Sequence, residues 1–576
     1  EEVPLVYPQL ASLLPVIGAP EVWAKSTPLD GDGVTIGVID SGIDYTHADF
    51  GGPGTVAAYT SNNSKIIEAG SFPTARVVGG WDFVGDDYNP TANVNVPSPD
   101  ADPLDCTKPE STAVAGGHGT HVAGIAGGNG VKQDGSAYLG PYSVSFVPTA
   151  FRIAPGVAPK SRLWSLRIFG CDGSTSMLAA ALERASDPNQ DGNFADRLDV
   201  VNGSLGTGYA LSSPVTTTMV ENLTKVGTLL VTAAGNDGQT FFVVASPASI
   251  PQSLSVAASA DNEFLALSVT STAGTEKYAA AEGGFSKRLV DTGPISGPLV
   301  ASVPANGCSA LSNAAAISGK IALIDRGVCS FIQKFTNAAT AGAAAVVIVD
   351  DEDEPLPFAM GGGDPGSVPI PGVMIRLVDG GKVKQALAQG SLTAGLDPSD
   401  PYTGVGAELL AGFSSRGPSS DDGRLKPEIA APGFSIDSAR VGSGNEPRRS
   451  QGTSQASPVV AGAAALVRQA RPAFSPMEVK AALMNSTEPL EDLTSQRYQT
   501  SIVGSGRVAV ERAVEQLITA GADVAGGEIG VAFGSVVSDT KTTVERSITL
   551  TNHATSEAVL DATVLPTHTL PGVTVS

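Results

Sequence analysis

Aromatic residues are scarce in this chain of 576 residues, at 5%, and basic side chains are few: 35 Lys and Arg stand against 58 Asp and Glu, a net charge of −23. An acidic chain without basic clusters repels phosphate, which makes nucleic acid and anionic membrane poor partners, and no nucleic acid is expected to bind. No apolar run reaches the length needed to span a bilayer. Glu1-Glu2 opens the chain with charge and no signal-peptide core follows, so it reads as the mature or trimmed form of an exported protein. Charged residues make up only 16%, too few for an adaptation to extreme salt. Cysteines number four, Cys106, Cys171, Cys308 and Cys329. An even count at separated positions fits two disulfides in an oxidising compartment, and sequence alone permits three pairings.

What is present is apolar and small: 42% hydrophobic residues, 67 Gly and 40 Pro. That excludes wholesale disorder, and the length exceeds what one core supports, so two to four domains are expected. Short, nearly continuous apolar runs occur at Gly33–Asp40, Arg162–Ile168, Val200–Ser204, Thr228–Ala233 and Ser253–Ala258. Such runs suit strands buried on both faces. Helical patterns at Met177–Ser186 and Pro214–Val226 lie between them. The alternation predicts an α/β fold with a doubly wound parallel sheet over 1–264, resuming over 405–522 with a long helix from Gln455 to Ala470. Residues 265–404 interrupt it with their own strand-like runs, Lys320–Ile324 and Ala343–Val349, around a helical pattern at Phe331–Ala341, and read as an inserted β-rich domain. From 523 to 576 the pattern changes again. Val544–Asn552 alternates with period two, which predicts a half-exposed strand in the first part of a β-sandwich.

Three motifs carry chemistry. Asp40-Ser41-Gly42-Ile43-Asp44 places a carboxylate at the carboxyl end of a buried strand, where open α/β sheets build their sites. Gly117-His118-Gly119-Thr120-His121-Val122-Ala123-Gly124 sets a glycine-flanked His ahead of a small-residue helix, and Gly452-Thr453-Ser454-Gln455-Ala456-Ser457-Pro458 sets a Ser at a helix start. Pro458 is tolerated because first-turn amides have no partner within the helix. A serine hydroxyl becomes a nucleophile when a neutral imidazole takes its proton, and the imidazole needs a carboxylate to fix its tautomer. Ser454 at a helix N-terminus adds free N–H groups where an oxyanion would form, and Asn236, after a buried strand, could supply a second donor.

In this order, Asp then His then Ser, the chain resembles the subtilisin-like serine proteases, the subtilases. The resemblance covers about residues 15–265 and 405–520. It implies a secreted serine endopeptidase that works through an acyl-enzyme, with Asp40, His118 and Ser454 as the triad and Asn236 in the oxyanion hole. It also implies that substrate lies along Ser204, Leu205 and Gly206, with Ala233, Ala234 and Gly235 walling an apolar first pocket. Ser41 stands where Thr is usual, and Gln455 where Met is usual. The insert, through Gly319–Phe331 and Ala341–Val346, resembles a protease-associated (PA) domain, and the C-terminal strands resemble a fibronectin III-like domain. Protein or peptide substrates, a monomeric state, a propeptide before maturation, possible cell-surface association and no catalytic cofactor belong to the same expectation.

Asp187-Pro188-Asn189-Gln190-Asp191-Gly192-Asn193, with Asp196, has the alternating oxygen donors and the turn glycine of a calcium loop, although Leu198 stands where a full EF-hand has its glutamate. Structural Ca²⁺ is expected there. His118 and His121 lack further ligands at metal-site spacing, so His121 is expected as a hydrogen-bonded helix residue, Asp44 as a structural partner near the site and His47 on the surface. Cys308 and Cys329 flank the PA-like strand and are expected to pair, as are Cys106, just before the His motif, and Cys171. Asn62, Asn202, Asn222 and Asn485 begin glycosylation-type triplets, with Asn202 expected to be buried. A silent binding or adhesion protein would be expected to lack a triad residue, and none is lacking. A serine esterase would carry a Gly-x-Ser-x-Gly elbow, which Ser454 lacks.

Overall fold

The computed structural model describes residues 9–91, 96–107, 116–142, 146–147, 150–171, 173–208, 212–260, 264–362, 366–402, 409–534, 540–561 and 563. Its centre is a parallel sheet of seven strands: β1 (Thr35–Asp40), β2 (Val77–Asp82), β3 (Arg162–Arg167), β4 (Val200–Gly203), β5 (Leu229–Ala233), β6 (Leu254–Ser259) and β7 (Ile429–Pro432). The spatial order is β7-β6-β5-β4-β1-β3-β2. Strands β1, β4, β5, β6 and β7 are buried at every position, which is why their sequences run apolar without alternation. The chain winds one way from β1 to β3 and β2, and the other way from β4 onward. The switch falls beside β1, so the carboxyl ends of β1, β4 and β5 surround one crevice.

Two helices close on that crevice. Helix α1 (His118–Gly127) packs against β1, and a Cβ on Gly119 would stand 2.2 Å from the Gly42 carbonyl, so the close approach requires glycine. Helix α2 (Thr453–Ala470) begins two residues before the expected start and is buried nearly throughout, since small residues let it lie against α1 and strands β4 to β7. Gly452 enters it at φ 149°, a conformation L side chains rarely adopt.

The insert is a closed barrel of seven strands: Phe264–Ser271, Gly274–Glu282, Ile295–Ala301, Ile321–Asp325, Ala345–Val349, Gly372–Ile375 and Thr393–Tyr402. Leu267, Leu323, Val347 and Leu396 fill its interior. The helix Phe331–Thr340 lays Phe335 against Ile324, Ile348 and Met374 on its outer face. The junctions at 261–263 and 403–408 lie outside the described residues. Disulfides join Cys106 to Cys171 and Cys308 to Cys329, with Cα separations of 5.7 and 5.8 Å.

Two further expectations change. The predicted strand Val544–Asn552 is a strand only over Thr549–Asn552, paired antiparallel with Ile518–Gly521. No neighbour strand lies along 541–548 among the described residues, and alternation alone does not hold an unpartnered ladder. Of the rest of the 523–576 segment, residues 535–539, 562 and 564–576 lie outside the described residues. His47, expected on the surface, is fully buried. Its Nδ1 accepts the Asp49 N–H at 3.1 Å and its Nε2 faces the Glu446 carbonyl at 3.3 Å, so its polar needs are met inside. Burial pushes its pKa down to about 4.

Candidate active site

Asp40 is the last residue of β1 and its side chain is 2% exposed. His118, the first residue of α1, directs Nδ1 at both carboxylate oxygens, 2.9 Å from each, leaving Nε2 toward the cleft. The Ser41 N–H donates to Asp40 Oδ1 at 2.8 Å, while Ser41 Oγ accepts the Gly119 N–H at 2.9 Å, so strand end and helix start hold each other. Burial alone would push the His118 pKa down. The Asp40 charge and hydrogen bond outweigh it, with Arg448 opposing, and the net displacement is upward from 6.5.

Ser454 lies in the first turn of α2. Its hydroxyl donates to the Ser204 carbonyl at 3.1 Å, and the Ser204 hydroxyl donates back to the Ser454 carbonyl at 2.7 Å. Behind them Asn202 donates through Nδ2 to Ser204 Oγ at 2.9 Å and accepts from Ser457 Oγ at 2.8 Å. Asn202 is fully buried, as expected of a residue inside β4. No hydrogen bond links Ser454 Oγ to His118 among the described residues. Both nevertheless line one cleft of about 440 Å³, together with Asp40 and Asn236.

Of the six residues expected along substrate, Ser204, Leu205, Gly206, Ala233 and Gly235 line this cleft and Ala234, fully buried, does not. Phe169, Ala245 and Asp237 also line it and were not anticipated. Thr453 was missed too: its N–H and hydroxyl both hold Asn236 Oδ1, which turns the amide Nδ2 toward the cleft.

Asp105 is a further residue the sequence did not single out. It is fully buried and accepts from the Gly117 N–H at 3.0 Å, the Thr120 N–H at 3.0 Å and the Thr120 hydroxyl at 2.6 Å. It thereby caps α1 from thirteen residues before His118, next to the Cys106–Cys171 disulfide. Burial pushes its pKa up to about 6 against the pull of those bonds. His121 sits one turn along α1 with Nε2 on the carbonyls of Ile436 and Arg448, and burial takes its pKa down to about 3.

The Asp187–Asp196 loop winds on its own oxygens. Asp187 accepts from the N–H groups of Asp191 and Gly192, Asn189 Oδ1 from that of Asp191, and Asp191 Oδ1 from that of Asn193. Its side-chain oxygens, from Asp187, Asn189, Asp191, Asn193 and Asp196, are the hard donors a calcium ion takes. Among the described residues, the one group of three His, Cys, Asp or Glu ligand atoms lying within 4.8 Å of one another is Asp86, Cys106 and Cys171, and both cysteines are tied in a disulfide.

A family model described as "Subtilase family" matches residues 31–506. The "Minor extracellular protease Vpr" of Bacillus subtilis (strain 168) is 30% identical over 530 residues, covering 88% of this chain and 54% of that protein. The "PIII-type proteinase" of Lactococcus lactis subsp. cremoris (strain SK11) is 28% identical over 615 residues, covering 96% of this chain and 28% of that protein. The chain thus spans about half or less of these relatives' lengths. A solved structure, the psychrophilic subtilisin-like protease Apa1 from the Antarctic psychrotroph Pseudoalteromonas sp. AS-11, overlays with a TM-score of 0.42 at 19% identity, covering 91% of this chain and 99% of that one.

Proposed function

The chain belongs to the subtilase family, and from that premise we propose that it hydrolyses peptide bonds of proteins as a serine endopeptidase. Ser454 is the nucleophile, His118 the general base and then acid, Asp40 the carboxylate that orients it, and Asn236 an oxyanion donor. The observation that carries this reading is His118 Nδ1 seated on both Asp40 oxygens at 2.9 Å, with Ser454 and Asn236 opening onto the same cleft.

An extended peptide adds as a strand beside Ser204–Gly206. Leu205, Ala233, Ala245 and Phe169 favour an apolar side chain before the scissile bond. Rotation of Ser454 about χ1, from one staggered well to another, takes its hydroxyl off the Ser204 carbonyl and toward His118 Nε2. As Oγ bonds to the carbonyl carbon, its proton passes to Nε2, and Asp40 stabilises the imidazolium through Nδ1–H. The oxyanion lies between Asn236 Nδ2 and the Ser454 N–H, a first-turn amide of α2. His118 then gives its proton to the leaving amine, the C–N bond breaks, and water cleaves the acyl-enzyme by the reverse route.

Action outside the cell is supported by the two disulfides and by the word "extracellular" in the name of one relative. A structural calcium ion at Asp187, Asn189, Asp191, Asn193 and Asp196 is supported by the alternate spacing of those oxygens. A fluorophosphonate probe should label the protein, and casein should be hydrolysed, with Ser454→Ala losing both. Equal labelling of the parent and Ser454→Ala would overturn the reading.

A further inference from the structure

The cleft does not end at Asn236. A second one, of about 490 Å³, shares Asn236 and Asp237 with the first but includes none of Ser204, Leu205 and Gly206. One side belongs to the sheet domain, where Phe413 and Phe434 lie stacked, ring centroids 6.2 Å apart and planes at 5°. The other side belongs to the barrel and its loop after Val349, through Arg326, Glu352, Glu354, Leu356 and Phe358. The two sides are fastened at two points of that loop. Gln239 Nε2 donates to Glu354 Oε1 at 3.1 Å, and the Ala359 N–H donates to Gln451 Oε1 at 3.1 Å. Leu356 and Phe358 pack on the main core, so the loop is part of the wall and not a loose flap.

The chemistry of this second cleft is divided. Phe413, Phe434, Leu356 and Phe358 make an apolar lining, and Asp237, Glu352 and Glu354 bring three carboxylates against the single cation Arg326. Arg326 is already shared, with Asp350 at 2.6 Å, Asp351 at 3.1 Å and Glu352 at 3.5 Å, its guanidinium 4.8 Å over the Phe358 ring. Glu354 Oε2 is buried without a hydrogen-bond partner among the described residues. Burial pushes its carboxyl pKa up, and Glu352 and Asp350 add to that against the opposing pull of Gln239 and the Arg416 charge. The cleft holds more carboxylates than cations, and Arg326 shows the stacking a guanidinium adopts there. A lysine or arginine side chain matches that division, with its methylene stem along the rings and its charge at the carboxylates.

We propose that this second cleft, half of it built by the inserted barrel, receives a lysine or arginine side chain of the polypeptide substrate on the leaving-group side of the scissile bond. The side follows from Asn236. The acyl half lies beside Ser204–Gly206, the oxyanion donor marks the scissile carbonyl, and the second cleft begins beyond it. This inference rests on the peptidase reading above.

Internally quenched peptides carrying Lys, Ala or Glu at the first or second residue after the cleaved bond test it on the full chain. At one of those positions Lys should exceed Ala in kcat/KM by about tenfold, and Glu354→Gln should cut that preference by about three- to tenfold. Glu354→Lys should turn the preference toward Glu. Fluorophosphonate labelling of Ser454 in each variant shows that the site is assembled. An acyl p-nitroanilide, which has no residue after the scissile bond, reads the Ser454 chemistry alone. If it is cleaved while Lys gives no advantage, or while the charge variants leave the profile as it was, the inference is overturned. If it is not cleaved, the peptidase reading fails and this inference falls with it.

Discussion

Thr453 holds the Asn236 carboxamide by its acceptor end, the backbone N–H at 2.9 Å and the hydroxyl at 3.0 Å from Oδ1. An amide whose oxygen is taken twice can present only its NH₂ to the cleft, so the residue before the proposed nucleophile fixes which atom of Asn236 meets a developing oxyanion. Asn236→Ala should lower kcat by about 10²–10³, the magnitude known for loss of the equivalent donor in subtilisin, a relative, with KM little changed. Thr453→Val keeps the N–H bond and loses the hydroxyl. It should lower kcat by about tenfold, as one neutral hydrogen bond is worth. Steady-state kinetics on a chromogenic peptide separate the two, and a Thr453→Val change confined to KM would contradict the positioning role.

In the proposed mechanism His118 must be neutral to accept the Ser454 proton, and Asp40 displaces its pKa upward from 6.5 against burial. kcat/KM should therefore rise with pH through an apparent pKa above 6.5. Replacing Asp40 by Asn removes the charge that raises it, so the profile should move to lower pH while kcat falls by about 10⁴. A profile in Asp40→Asn that stays in place, or moves to higher pH, would show that the carboxylate is not what sets the His118 titration.

Asp105 supports α1 without touching the cleft. Its carboxylate collects the orphan N–H groups at the start of the helix that begins with His118. Asp105→Ala removes the acceptor of four donors, the N–H groups of Cys106, Gly117 and Thr120 and the Thr120 hydroxyl, and should cost about 1–3 kcal/mol for each that finds no water. Because its folded pKa, about 6, lies above the 3.8 of a free aspartate, the carboxyl favours the folded state most below pH 3.8 and loses that contribution as pH rises through 6. The loss of Tm in Asp105→Ala should therefore be greater at pH 5 than at pH 8. Equal losses at the two pH values would show that Asp105 does not titrate in this window.

These residues mark where the sequence stops being informative. Strands β1, β4, β5 and β6 were legible because burial on both faces leaves an uninterrupted apolar run, and Asp40 could be placed because it ends such a run. His118 and Ser454 were legible through glycines that the close packing of α1 and α2 requires. Asp105 was not, because its role exists only once the chain between it and His118 has folded back. His47 carries no local sign of burial, since what covers it is the Glu446 carbonyl from far along the chain. The cleft between Phe413 and Phe358 depends on how the barrel docks, which neither segment encodes alone.

The Asp187–Asp196 loop, proposed above to hold calcium, can be tested by melting. The side-chain oxygens of Asp187 and Asp191 accept N–H groups from further along the loop, each with a lone pair remaining for a cation. Ion binding to the folded chain alone would add about 2.7 kcal/mol at a hundredfold excess over Kd. Removing calcium with EGTA should lower the apparent Tm, and Asp187→Ala should abolish that sensitivity while leaving fluorophosphonate labelling of Ser454 intact at low temperature, since the loop lies outside the cleft. Melting curves of the parent that coincide with and without EGTA would remove calcium from the account, leaving the loop as a turn stabilised by its own side chains. The proposed roles of Asp40, His118 and Ser454 would stand, because none of them depends on the ion.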